Sequence, residues 1–234
     1  MAAKEAGADR IELCAALQTG GLTPDQGLIN LVSENLDIPI HVLIRPRIGN
    51  FVYDRSEFKH ILKSIEVCRN QGVAGVVVGC LSREGKVDRE QIKAIVDQAT
   101  GFDLTFHRAI DTCVEIEDAL DFLMELEFDR VLSSGAAPTA EQGMHLLKKM
   151  VAHTTDNKLS IMPGAGVNAH NVVKIIRNTG CQEIHGSGKM NVALESNDTI
   201  GLTSLFGQPI DHKWESNSEE IQRIKTALLQ IRSN

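Results

Sequence analysis

Side chains able to do chemistry recur in this sequence at one kind of position, the end of a short β-rich run. They are Glu12 and Cys14, Arg45 and Arg47, Cys80, His107 with Arg108 and Asp111, Ser133 and Ser134, Gly164 and Gly166, and His185. Arginine offers a planar fork of donors that matches carboxylate and phosphate oxygens, so Arg45, Arg47 and Arg108 read as anion-binding residues. Gly164 and Gly166 join them. The string Gly164-Ala165-Gly166-Val167-Asn168 follows a run and opens a helix, where backbone N–H groups and a positive helix end meet an anion. The structural alternative there is a tight turn that needs glycine for its backbone angles alone. His107 and His185 are candidate general acids or bases, with Glu12 or Asp111 tuning them, and these four form the candidate catalytic set. Against that stands a plain structural role, in which Glu12 and Asp111 pair with the arginines as a polar plug.

Other chemistries are poorly served. Ser133-Ser134-Gly135 is not the G-x-S-x-G turn of a serine hydrolase, and no C-x-x-C, H-E-x-x-H or H-x-H is present to hold zinc. Soft ligands remain: Cys14 and Cys80 fall at run ends, and a thiolate at Cys14, with a histidine or Met162, would suit Cu(I) better than a hard cation. Cys68 and Cys181 fall on or beside helices and read as small buried hydrophobes.

The elements that must position these groups follow from the apolar pattern. Seven runs read as strands: Arg10 to Cys14, Pro39 to Arg45, Gly75 to Gly79, Leu104 to Arg108, Arg130 to Ser134, Leu159 to Pro163 and Glu183 to Gly186. Several are continuously apolar, as in strands covered on both faces of a parallel sheet. Between them lie helical patterns with start and stop signals. Asp54 with Glu57 forms a capping box before Phe58, Ile61, Leu62, Ile65 and Cys68, with Gly72 as the stop. Asp88, Thr112 with Glu115, and Asn168 open three more, the last halted by Gly180.

Strict alternation at about 24 to 35 residues per unit, with no linker, predicts one domain over 1–234, an α/β TIM-type (β/α)8 barrel, ahead of a doubly wound open sheet. Gly-x-Gly occurs only late, not in the first βα turn where a dinucleotide fold carries it. Seven strands do not close a barrel of eight. Met1 to Glu5, closed by Gly7, reads as the last turns of a helix whose preceding strand is missing from this chain. Either Thr199 to Phe206 supplies the eighth strand or the barrel lacks its first; the second reading is preferred. Residues 189–214 read as an irregular or mobile segment and 215–232 as a C-terminal helix bearing Ile221, Ile224, Leu228, Leu229 and Ile231.

Composition limits the partners. Twenty-four basic against 31 acidic residues leave a net charge of −7, with 4% aromatic residues and one Trp, so nucleic acid is not expected as a partner. No apolar stretch approaches the 18 to 20 residues of a membrane span, the opening MAAKEAGADR does not read as a secretory signal, and five scattered cysteines suit a reducing cytoplasm. An acidic protein with arginines and histidines gathered at one end implies a small anionic ligand at a locally cationic mouth.

Taken together, GADRIELC (7–14), GGLTP (20–24), IRPR (44–47) with Gly49, Phe51 and Tyr53, and TFHRA (105–109) with Asp111 resemble the CutC copper-homeostasis family. Arg130-Val131-Leu132 with Ser134-Gly135, Pro163-Gly164 with Gly166, and Glu183 with His185 extend the resemblance to about Ser187. It implies a TIM-type fold, a homo-oligomer, a cytoplasmic location with nuclear occurrence in animals, and a role in copper handling with Cu(I) bound through cysteine. Cys14 matches a cysteine of the family motif. Two functions are therefore carried forward: copper homeostasis with Cys14 as metal ligand, and an enzyme acting on a phosphorylated or carboxylated small molecule at the barrel mouth.

Overall fold

The computed structural model describes residues 1–193 and 212–232. Six strands run in chain order: β1 (Ile11–Leu13), β2 (Ile40–Leu43), β3 (Gly75–Val78), β4 (Asp103–Phe106), β5 (Arg130–Ser133) and β6 (Ser160–Pro163). They alternate with helices. A short α1 (Ala2–Glu5) precedes β1, and α2 (Gln26–Asn35), α3 (Arg55–Asn70), α4 (Arg89–Gln98), α5 (Ile116–Glu125), α6 (Met144–His153) and α7 (Val172–Thr179) follow the six strands in turn.

All six strands are parallel and adjacent in sequence order, with Val42 opposite Val76, Val77 opposite Thr105 and Arg130 opposite Ser160. A doubly wound sheet reverses its strand order midway. This sheet does not; it curls as part of a TIM-type barrel with the helices outside.

Side-chain alternation sorts the strands into two faces. Val42, Ile44, Val76, Val78, Phe106, Val131 and Ile161 pack outward against Ile61, Ile65, Ile92, Ile95, Leu120, Leu123 and Ile175 in one buried cluster. Each such side chain contributes about 1.5–3 kcal/mol on leaving water. The other set, including Glu12, His41, Arg45, Thr105, His107 and Arg130, faces the barrel interior and lines a cavity there.

Helix start signals hold at two of four sites; α7 begins four residues after Asn168, with Asn171 at its cap position and no side-chain cap bond, although its Gly180 stop holds. Asp54 accepts hydrogen bonds from the Ser56 and Glu57 amides while Glu57 reaches back to the Asp54 amide, closing the capping box. Asp88 caps α4 through the Gln91 amide, and Gly180 ends α7 in the left-handed region. Thr112 does not cap α5: its hydroxyl donates to the Ala109 carbonyl in a 3-10 turn over Arg108–Thr112, and Glu115 occupies the cap position without a side-chain bond.

Three expectations about the end of the chain are corrected. Glu183 to Gly186 is not a strand: only the His185 amide bonds to the neighbouring Pro163 carbonyl, at 2.8 Å, and one bond does not make a ladder. The segment 189–214 is not irregular at its ends, because β7 (Lys189–Ala193) pairs antiparallel with β8 (His212–Ser216), and Lys189 Nζ lies 4.1 Å over the Trp214 ring. The final helix, α8 (Ser218–Arg232), accordingly starts three residues later than expected. It docks through buried Ile224 and a Lys225 bond to Asp9 at 2.6 Å. The alternative strand at Thr199 to Phe206 lies outside the described residues.

Candidate functional site

Arg45 follows β2 and turns into the interior, 9% exposed. Its guanidinium donates to the carbonyls of Thr19 (3.3 Å), Gly21 (3.2 Å) and Gly49 (2.9 Å) and lies 5.1 Å from the Phe51 ring centroid. Among the described residues no carboxylate pairs with it, and its Nε is buried without a partner. A buried cation surrounded only by dipoles is costly unless an anion joins it.

His107 sits beside Arg45 at the end of β4, 4% exposed, its ring 4.8 Å from that of Phe51. The sheet makes room for it at Gly79, where a Cβ would come within 2.5 Å of the imidazole. The Ala109 amide donates to its Nδ1 at 3.2 Å, which puts the proton of the neutral ring on Nε2, and that atom is buried without a partner. Burial, and then the Arg45 charge, push its pKa down to about 3. His107 is therefore neutral at physiological pH, a hydrogen-bond donor rather than the titrating acid expected.

Asp111 does not tune it. That carboxylate accepts from the Ser133 hydroxyl (2.6 Å), the Ser134 amide and hydroxyl, the Ala136 amide and Arg108 Nε (2.8 Å), and so ties the turn after β4 to the loop after β5. With five donors filled, it is a structural latch. Arg108 is partly spent in the same latch but still borders the cavity.

Arg47 is corrected outright. It lies outside the barrel, paired with the capping-box residue Glu57, bonded to the carbonyls of Asn50 (2.9 Å) and Val52 (2.7 Å) and stacked on Tyr53. The glycine turn also differs from expectation. The amides of Asn168, Ala169, His170 and Asn171 are taken by Asn171, Glu220 and Asn168 side chains, so the chain's own polar groups fill the anion position. Gly164 serves packing instead: a Cβ there would lie 2.5 Å from Leu132, with His185 against its other side. Gly166, at φ 74°, remains on the cavity wall.

Glu12, Cys14 and His185 line the same cavity. Glu12 Oε2 stands 3.6 Å from His185 Nδ1. Burial, with Glu12 second, pushes the Cys14 thiol up to about 11, so it is protonated and a poor ligand until a metal displaces the proton. Cys80 is fully buried away from the cavity, and Met162 Sδ already accepts from Arg10 at 3.1 Å. Among the described residues no three His, Cys, Asp or Glu side chains converge closely enough to hold a metal ion.

Sequence reasoning passed over a second polar layer, at the opposite end of the interior. Arg10 pairs with Glu183; Arg130 bonds Glu183 at 3.0 Å and Asp103 at 3.1 Å; buried His41 stands 3.7 Å from Asp103. The signal was present in the strand alternation, which puts His41 and Arg130 on the same face as Arg45 and His107. Phe51 and Gly79, which seat His107, were also missed, since neither carries a reactive group.

Fold and interior together define a TIM-type βα barrel whose cavity is lined by polar and cationic side chains. The chain belongs to the CutC family, whose model matches residues 1–190. A CutC family protein of Bacteroides fragilis is 37% identical over 235 residues, covering 100% of this chain and 93% of that protein, and one of Photobacterium profundum is 42% identical over 187 residues, covering 80% and 76%. The solved structure of CutC from Streptococcus agalactiae, described as a copper homeostasis protein, superposes with a TM-score of 0.73 at 32% identity, covering 76% of this chain and 88% of that one. An aldolase at 12% identity and TM-score 0.59, covering 78% of this chain and 79% of its own, shares the fold alone.

Proposed function

We propose that this protein serves copper homeostasis, as the solved CutC of Streptococcus agalactiae is described, and that its working centre is a pocket for a small carboxylated or phosphorylated ligand between Arg45 and His107. The observation that carries the reading is the buried Arg45 guanidinium with no carboxylate partner among the described residues, beside a neutral histidine whose remaining N–H is also unpartnered. Both groups only donate, which suits an oxyanion and rejects a cation. Thermal unfolding with phosphate and with a small 2-oxo acid tests it. The parent is expected to gain stability with one of them, and Arg45→Met to lose at least tenfold in apparent affinity, the scale of a charge-assisted hydrogen bond. A parent indifferent to both anions would end the reading.

Cu(I) carried on Cys14 is the second reading, supported by the position of that thiol on the cavity wall. Copper is cargo here rather than a resident cofactor. With one thiol and, among the described residues, no converging third ligand, the expected affinity is modest. Anaerobic Cu(I) titration against a competing chelator should show tightening with rising pH as the Cys14 proton is released, and equal curves for the parent and Cys14→Ser would remove Cys14 as ligand. A cytoplasmic setting, with the nucleus as a second, is proposed with both readings because all five thiols are free. Homo-oligomeric assembly is proposed too, and light scattering checks it.

A further inference from the structure

The cavity holds, besides the two donors, a carboxylate and a second histidine that the anion-binding reading leaves unused. Glu12, on β1, faces the interior with its side chain 16% exposed and stands 3.6 Å from the His185 ring. No arginine or lysine among the described residues neutralises it, in contrast to Glu183, which two arginines hold. An unspent carboxylate, a neutral imidazole whose buried N–H lacks a partner, and a guanidinium without a carboxylate border one cavity and are three different tools.

We infer that the site catalyses proton exchange and enolisation at the carbon next to the carbonyl of a small ketone that also bears a carboxylate or phosphate. The inference rests on the anion-binding reading of Arg45 and goes beyond it. Arg45 takes the anionic group. The His107 Nε2–H hydrogen-bonds the carbonyl oxygen, a role that needs the neutral ring, since a neutral donor polarises the carbonyl without surrendering its proton. Glu12 takes the α-proton: the C–H pair becomes the new C=C bond, the carbonyl π pair moves to oxygen, and the resulting enolate oxygen stays bonded to His107. Return of the proton from Glu12 restores the ketone, so nothing is consumed. His185, 3.6 Å from the Glu12 carboxyl, is assigned as a positioning residue.

The test is hydrogen–deuterium exchange at carbon in D2O, followed by proton NMR, with the full chain. Two probes separate the anion types: 2-oxobutyrate, exchanged at C3, and dihydroxyacetone phosphate, exchanged at the hydroxymethyl carbon. The parent is expected to accelerate exchange of one of them over buffer. Glu12→Gln should lower that rate by about 10²–10⁴, the range of a general base, while keeping the anion-induced rise in Tm. Glu12→Asp, which keeps the base at shorter reach, should restore part of the rate. If the parent gains stability from an anion yet exchanges neither probe, the enolisation inference fails and the binding reading stands. If no anion stabilises the parent, both fall. Exchange that persists in Glu12→Gln also overturns the inference.

Discussion

The two ends of the barrel interior carry similar residues arranged to opposite effect. At the strand starts, Arg10 and Arg130 share Glu183, Arg130 also takes Asp103, and His41 stands beside the same aspartate. At the strand ends, Arg45 has only carbonyl oxygens and an aromatic face, and His107 has an aromatic face and one backbone amide. The first arrangement balances its arginines with carboxylates, although His41 Nε2, like His107 Nε2, is buried without a hydrogen-bond partner. The second leaves donors waiting. Buried cations paired by carboxylates belong to the architecture; buried cations without them mark the place for a ligand.

The sharpest way to break this contrast is to unpair the first layer. Glu183 is held below its ordinary pKa: burial alone would raise it, and Arg10 and Arg130 more than offset that. Glu183→Gln leaves two partly buried guanidinium groups without their shared anion. It should cost about 3–5 kcal/mol of stability in urea unfolding, the scale for breaking one side of a buried pair. A loss near zero would mean that this layer is solvated and the contrast false. Arg45→Met, which removes a charge that has no partner, should cost less in stability while removing anion binding.

Acid titration separates the layers next. His41 is pushed down to about 4, by burial first and then by Arg130 and Arg10, and His107 to about 3, against an ordinary value of 6.5. Their folded-state values lie below their unfolded ones. Between about pH 6 and 4 the unfolded chain therefore binds up to two protons that the native chain refuses, and stability falls as pH drops, at about 2–3 kcal/mol per pH unit where both contribute. The loss at Glu183 adds to it at lower pH, in the same direction. Urea midpoints measured from pH 7.5 to 5 check the slope, and a flat profile would contradict the burial of both rings. An anion bound at Arg45 offsets only the lesser cause of the His107 shift, so a saturating ligand should reduce the His107 share modestly, because burial remains, and leave the His41 share.

How far the sequence could be read follows the same division. Six strands, the helices between them and the barrel winding were legible because apolar periodicity and caps such as Asp54 with Glu57 are local signals. Glu183 to Gly186 reads as a seventh strand from its place in the series of runs, but pairing is a long-range property, and Glu183 is drawn to arginines 173 and 53 positions away. Arg45, His107, Glu12 and His185 were singled out from their place at run ends, and the structure places all four on the cavity wall. Asp111 was found and misjudged, because only the structure shows how completely serines and amides surround it. His41 and Arg130 were passed over because a filter that trusts strand ends ignores strand beginnings.

Arg47 supplies the finest test, since it stands two residues from Arg45 in the same IRPR string. With Pro46 between them, one arginine turns inward and the other meets Glu57 and Tyr53 outside, so that one motif serves both the cavity and the start of α3. Because Arg47 is a third exposed and already paired by a carboxylate, screening leaves that pair worth little. Arg47→Ala should therefore lower Tm by less than either variant above, through lost carbonyl bonds at Asn50 and Val52, and should leave the anion-induced shift in Tm at the parent value. If Arg47→Ala weakens anion binding as strongly as Arg45→Met, the ligand is held by the whole string at the rim rather than by the unpaired guanidinium inside, and the distinction between paired and unpaired arginines loses its functional meaning.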